Sequence, residues 1–130
     1  METTYSLTRA VSPQDLLPLF AQADWTKARV PADIQTLLDR SVWIGAWQGD
    51  RLVGFARVVT DDVYRAFLED VIVDERLRGQ GIGSELVRRL LERLAHVQEI
   101  ALVCEAHLVG YYERLGFTHH GFNHLHIWKG

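Results

Sequence analysis

The chain predicts an α/β fold: a single domain, residues 1–130, with a mixed central sheet flanked by helices. Three observations carry that prediction. Short apolar or alternating runs recur between turn signals, as strands do. Between some of them, apolar residues return every three or four positions, as on a helix that faces a core. The two kinds of run follow one another as β-α-α-β-β-β-α-β-α-β, an order that settles helices on the faces of a sheet.

Each element has its own signal. Residues 4–10 alternate loosely and read as a first strand. Ser12-Pro13 is a helix start, with serine as N-cap and proline at the first helical position. Leu16, Leu17, Phe20 and Ala21 form the apolar face of that helix, and Pro31 opens a second with Ile34, Leu37 and Leu38 on one side. Val42 to Trp47 and Leu52 to Val59 are strands joined at Gly49-Asp50. After Asp61-Asp62, Phe67 to Val73 is a third β-rich run, apolar apart from Glu69 and Asp70. Ile82, Leu86, Leu90 and Leu94, with Val87 and Leu91 beside them, mark a helix. Ile100 to Cys104 reads as a buried strand. Val109 to Leu115 is a short helix that Gly116 ends. Phe117 to Trp128 is expected to form one or two strands around Gly121.

Composition narrows the function. Apolar residues make up 48% of the chain, with four Trp, four Tyr and five Phe, enough for one core without disulfides. A formal net charge of −3 argues against a nucleic-acid partner. The single cysteine, Cys104, sits in an apolar run and reads as a small buried hydrophobe. No apolar run approaches the roughly 20 residues that span a bilayer, and Met1 to Arg9 lacks a secretory pattern. A cytoplasmic protein without membrane partners is the expectation.

The most informative stretch runs from Val71 to Gly83, Val-Ile-Val-Asp-Glu-Arg-Leu-Arg-Gly-Gln-Gly-Ile-Gly. A buried strand enters a basic, glycine-rich turn, which enters an amphipathic helix. The first turn of a helix offers free N–H groups and the positive end of its dipole. Glycines let a phosphate approach the backbone, and Arg76 and Arg78 add charge there. The arrangement suits a pyrophosphate. The spacing fits neither the Walker loop nor the dinucleotide fingerprint, which would need glycine where Ser84 stands.

Arg76-x-x-Gly79-x-Gly81 resembles the Arg/Gln-x-x-Gly-x-Gly/Ala signature with which the GNAT superfamily of N-acetyltransferases binds acetyl-coenzyme A. Leu68 to Leu86 is similar to polyamine acetyltransferases and to plant arylalkylamine (serotonin) acetyltransferases. The superfamily's order of elements, on a mostly antiparallel sheet, matches the chain. The resemblance implies acetyl-CoA as cosubstrate and no metal. It implies that backbone groups of Val71, Ile72 and Val73 hold the pantetheine arm like an added strand. Arg76 and the amides of Arg78, Gly79, Gln80, Gly81, Ile82, Gly83 and Ser84 would hold the pyrophosphate.

Tyr111-Tyr112-Glu113-Arg114-Leu115-Gly116-Phe117 resembles the family's Phe-Tyr-Glu-x-Leu-Gly-Phe segment, with Tyr111 in place of phenylalanine. The family tyrosine carries over to Tyr112, which would protonate the departing thiolate. Glu105 stands where many relatives place an asparagine on the coenzyme arm, and it is assigned there. An alkylamine is mostly protonated near neutral pH, so a base is needed. Glu69 and Asp70, which interrupt the apolar strand, are the candidates, and the resemblance favours Glu69. Adjacent strand residues face opposite sides, so Glu69 and Asp70 share a site only if a bulge intervenes.

Acceptor candidates are Trp25, Arg29, Asp62, Tyr64 and Asp70. Acidic and aromatic groups together suit a cationic or aryl-bearing amine. The reaction expected is direct transfer from acetyl-CoA to a primary amine of a small molecule, with polyamines or arylalkylamines as the acceptor class. The alternatives are a protein lysine or N-terminal acetyltransferase and a non-catalytic acyl-CoA-binding module. Partners are otherwise none, with room for a homodimer. His124-x-His126 in the tail would share a strand face, but without cysteine or carboxylate beside them they read as ordinary histidines rather than a metal pair.

Overall fold

A computed structural model describes residues 1–130. Five strands form one sheet in the order β1-β2-β3-β4-β5. They are β1 (Thr4–Ser6), β2 (Val42–Gln48), β3 (Arg51–Thr60), β4 (Arg65–Val73) and β5 (Glu99–Ala101). Neighbours are antiparallel except β4 and β5, which run parallel. The helices are α1 (Pro13–Phe20), α2 (Pro31–Arg40), α3 (Ile82–Arg93) and α4 (Val109–Arg114). No helix is long and apolar enough to cross a membrane.

Each face of the sheet has its own core. On one, Ile82, Leu86, Val87 and Leu90 of α3 pack on Ile44, Ala56, Val58 and Leu68 of the strands. On the other, Leu16, Leu19 and Phe20 of α1 and Ile34 and Leu38 of α2 cover Trp47, Phe55 and Ile72. The α1 start is a full capping box. Ser12 Oγ accepts from the Asp15 amide at 3.2 Å, and Asp15 Oδ2 accepts from the Ser12 amide at 2.9 Å. Such caps are worth about 1 kcal/mol.

One irregularity decides the geometry of the site. Arg57 pairs with Glu69 and Phe55 with Ile72, so Asp70 and Val71 together oppose Ala56. This is a β-bulge, and Asp70 takes the extra place with φ +53°. A left-handed backbone is uncommon for a non-glycine residue, though aspartate tolerates it better than most. The bulge puts the Asp70 carboxylate on the α1/α2 face beside Glu69, while Val71 and Val73 pack on the α3 face.

Two expectations are corrected. The strand expected at Ile100 to Cys104 is only Glu99–Ala101 and is not buried. Its pairing with β4 stops at Phe67↔Ala101, so Leu102 to Cys104 have no ladder to join. The tail after Phe117 forms no strand, and Phe122, Leu125, Ile127 and Trp128 are each more than 80% exposed. A three-residue edge strand offers that tail little ladder to pair with.

Candidate active site

The loop from Asp74 to Gly81 connects the end of β4 to the start of α3. Gly79 and Gly81 have φ of +80° and +84°, and an added Cβ at either would meet nothing within 4 Å. Their backbone therefore requires glycine, and the space before them is open. Gly81 is the N-cap of α3 and supplies no side-chain bond, which leaves the first amides of the helix directed at that space. Arg78 Nε lies 3.4 Å from the Val73 carbonyl and hangs beside the same turn.

Arg76 is engaged within the loop itself. Its guanidinium donates to Asp74 at 3.0 and 3.3 Å, and the Arg76 amide donates to Asp74 Oδ1 at 3.1 Å. Asp74 is buried and held below the usual carboxylate range, first by the Arg76 hydrogen bond and also by Arg51. Arg76 thus braces the loop. The Glu75 amide donates to Gln22 Oε1 at 2.9 Å, which ties the loop to the segment after α1.

The second feature is the splayed edge of β4. Beyond Phe67 no strand faces β4 on the β5 side, so the backbone of Val71, Ile72 and Val73 has a free edge there. A cleft of about 780 Å³ opens between β5, α4 and the tail, lined among others by Phe67, Leu102, Cys104, Tyr112 and Phe117. Tyr112 packs edge-on against Tyr111 at 5.0 Å and Phe117 at 5.8 Å. Burial, then the neighbouring Tyr111 and Cys104, push its phenol up to about 12. It holds its proton across the neutral range, as a general acid for a thiolate requires.

Across the sheet, on the α1/α2 face, lie Glu69 and Asp70. Glu69 is half-buried, and burial followed by the Asp70 charge raises its carboxyl, while Arg57 and Arg29 pull it back. Asp70 is fully buried, and its Oδ2 accepts from Arg29 and from Arg57 Nε, each at 2.6 Å. Burial alone would raise this carboxyl, but the two guanidiniums outweigh it and hold the group below 3.8. Asp70 is therefore an ion-pair partner, and Glu69 is the one of the two carboxylates that makes no ion pair.

Other expected residues scatter. Asp62 lies at the far end of α3, bonded to Arg93 at 3.1 and 3.2 Å and to His96 at 2.8 Å. It sits in the turn before β4, roughly 20 Å along that strand from Glu69, with its carboxylate engaged by Arg93 and His96. Trp25 and Tyr64 are 64% and 61% exposed. Glu105 is exposed and 3.5 Å from His107. Two residues escaped the sequence reading. Arg57 was signalled as the only charge inside the apolar run Leu52 to Val59. Tyr111 reaches the start of α3, with its hydroxyl 3.1 Å from Ser84 Oγ.

The profile of the Acetyltransferase (GNAT) family matches residues 10–117. Among curated proteins, the chain is 36% identical over 72 residues to GCN5-related N-acetyltransferase 2, chloroplastic, of Arabidopsis thaliana, covering 54% of this chain and 28% of that one. It is 32% identical over 116 residues to GCN5-related N-acetyltransferase 1, chloroplastic, of the same plant, covering 85% and 58%. The chain thus spans between about a quarter and three fifths of the length of these two relatives. Among solved structures, a GNAT family acetyltransferase of Streptococcus pneumoniae superposes with a TM-score of 0.83 at 28% identity, covering 99% of this chain and 98% of that one. A GNAT family acetyltransferase of Xanthomonas campestris gives 0.83 at 25% identity, covering 98% and 94%.

Proposed function

The chain belongs to the GNAT acetyltransferase family, and from that premise we propose that it transfers the acetyl group of acetyl-CoA to a primary amine of a small molecule. The observation that carries this reading is the pair of left-handed glycines, Gly79 and Gly81, open in front of an uncapped helix start. A diphosphate fits there, because the site offers backbone donors, a helix dipole and the Arg78 side chain with no Cβ in the way. Acetyl-CoA supplies an activated acyl group as its thioester.

The residues divide the remaining work. Amides from Arg78 to Ser84 bind the diphosphate, and the free edge of Val71 to Val73 binds the arm as a strand partner would. Glu69 accepts the proton that the amine must lose, directly or through water. Tyr112 keeps its proton until a thiolate needs it. The amine enters over the α1/α2 face, where Arg29 and Arg57 stand beside Glu69. The polyamine or arylalkylamine expectation leaned on carboxylates. Asp62 is distant and Asp70 is neutralised, so neither supplies a free carboxylate for a polyamine's charges.

Replacing Gly81 with valine tests the cradle. Acetyl-CoA at about a hundredfold over its Kd stabilises the native state by about 2.7 kcal/mol, a rise in Tm of roughly 10 °C. Gly81→Val should lose that rise, and because φ +84° strains a β-branched residue the free protein should also melt lower than wild type, so the rise is read against each protein's own Tm. An undiminished rise would remove the cradle. Glu69→Gln tests the base. It should lower kcat/KM by about a hundredfold near neutral pH. Wild-type activity should climb with pH through a Glu69 value lifted above 4.5. An unaltered pH profile in the Glu69→Gln variant would exclude Glu69.

A further inference from the structure

Resting on the acetyl transfer proposed above, we infer that the acceptor is a primary amine that also carries a carboxylate, and that Arg29 selects it. The first ground is charge. Arg29 and Arg57 both pair with the one carboxylate of Asp70, through the same oxygen. Arg57 alone neutralises Asp70, so Arg29 is balanced only by the Glu69 carboxylate. Once Glu69 accepts the amine's proton, as its proposed role requires, the cluster carries one positive charge that only an anion on the acceptor can answer.

The second ground is the way the two arginines spend their donors. Arg57 commits two edges, Nε to Asp70 and an N–H to Ser41 Oγ at 3.0 Å. Arg29 commits one nitrogen, at 2.6 Å, and its remaining N–H groups bond no other side chain. A guanidinium is built to meet a carboxylate with two parallel bonds, so Arg29 retains a free edge for one. Arg29 is also the member of the cluster that reaches solvent. Its side chain is 26% exposed, against 13% for Arg57 and none for Asp70.

The third ground is position. Asp70 is enclosed and no donor of the chain reaches its Oδ1, so it holds Arg29 in place without being open to a ligand itself. An amine beside Glu69 can therefore lay its carboxylate on Arg29. Arg29 comes from the segment between α1 and α2 and Asp70 from the bulge, so the fold itself brings them together.

The test compares amines that differ only in the carboxylate: phenylalanine with phenethylamine, and tryptophan with tryptamine. A phosphate arm uses phosphoethanolamine with ethanolamine. Thiol release from acetyl-CoA is the readout. The carboxylate-bearing member should win by about 10- to 100-fold in kcat/KM, chiefly through KM, as a charge-assisted bond is worth about 1.5–3 kcal/mol. Arg29→Gln should erase the preference, and Arg29→Lys should restore part of it. Equal rates within each pair, or a preference confined to the phosphate arm, overturns the inference and leaves acetyl transfer standing. A second readout needs no turnover. With CoA bound, 3-phenylpropanoate should raise the Tm of wild type above the effect of 3-phenylpropanamide, and should not do so in Arg29→Gln. Equal shifts from the two compounds in wild type overturn the assignment even if every amine is inert, whereas inert amines with unequal shifts overturn only the proposed transfer.

Discussion

Tyr112→Phe is expected to bind acetyl-CoA with wild-type affinity and to turn over about a hundredfold more slowly. The substitution removes one oxygen and leaves the ring contacts with Tyr111 and Phe117 intact. Binding should therefore survive, and the loss should fall on kcat. The phenol also sets the alkaline behaviour. With its ionisation at about 12, wild type should show no fall in rate from loss of this proton until pH approaches that value. Single-turnover rates and the Tm shift with acetyl-CoA check both halves. A near-normal kcat would take Tyr112 out of the chemistry, and a lost Tm shift would make it a binding residue instead.

Asp70→Asn should give the largest loss of stability, about 3 kcal/mol. Breaking a buried ion pair by removing one partner costs about 3–5 kcal/mol, and the lower end applies because Arg29 reaches solvent. Asparagine keeps the shape and tolerates the left-handed backbone, so the loss reports the charge. The dependence on pH follows from the lowered carboxyl. Its contribution is fully present above the unfolded value near 3.8 and is lost as pH falls through the still lower folded value. Other carboxylates titrate in both proteins and cancel in the difference. The gap between wild type and the Asp70→Asn variant, read by urea unfolding, should narrow only in acid. A gap below about 1 kcal/mol at pH 7 would mean that the arginines do not depend on Asp70.

The fold was legible where local chemistry and tertiary demand agree. Ser12-Pro13, Gly49-Asp50 and the leucine repeat of α3 announce their elements because capping, turn geometry and burial select the same residues. The glycine turn was legible for the same reason, since its positive φ values admit little else. The far end of the sheet was not. Ile100 to Cys104 is as apolar as a central strand, but the splay of β4 and β5 is a property of two strands together. The acceptor side failed differently. Asp62 and Asp70 have the residue types of a site, yet each is engaged by a partner 31 or 41 positions away in the chain. Spacing along a sequence reports such partners only when they lie in the same element. Arg57 is the exception, since a lone charge in a buried strand declares that something opposite must answer it.

The extra residue in β4 makes that strand two segments half a period out of step. Up to Glu69 the even-numbered side chains face α3, and from Val71 onward the odd-numbered ones do. Flattening the joint at full length would turn Ile72 toward α3 and Val71 and Val73 toward α1, reversing every buried side chain up to the glycine turn. Deleting Asp70 instead would restore unbroken alternation with Val71, Ile72 and Val73 on their present faces. The cores on either side of the sheet therefore do not need the extra residue; what it adds is its carboxylate, and a descendant of the chain that lost it would forfeit the anchor of two arginines before it forfeited the strand.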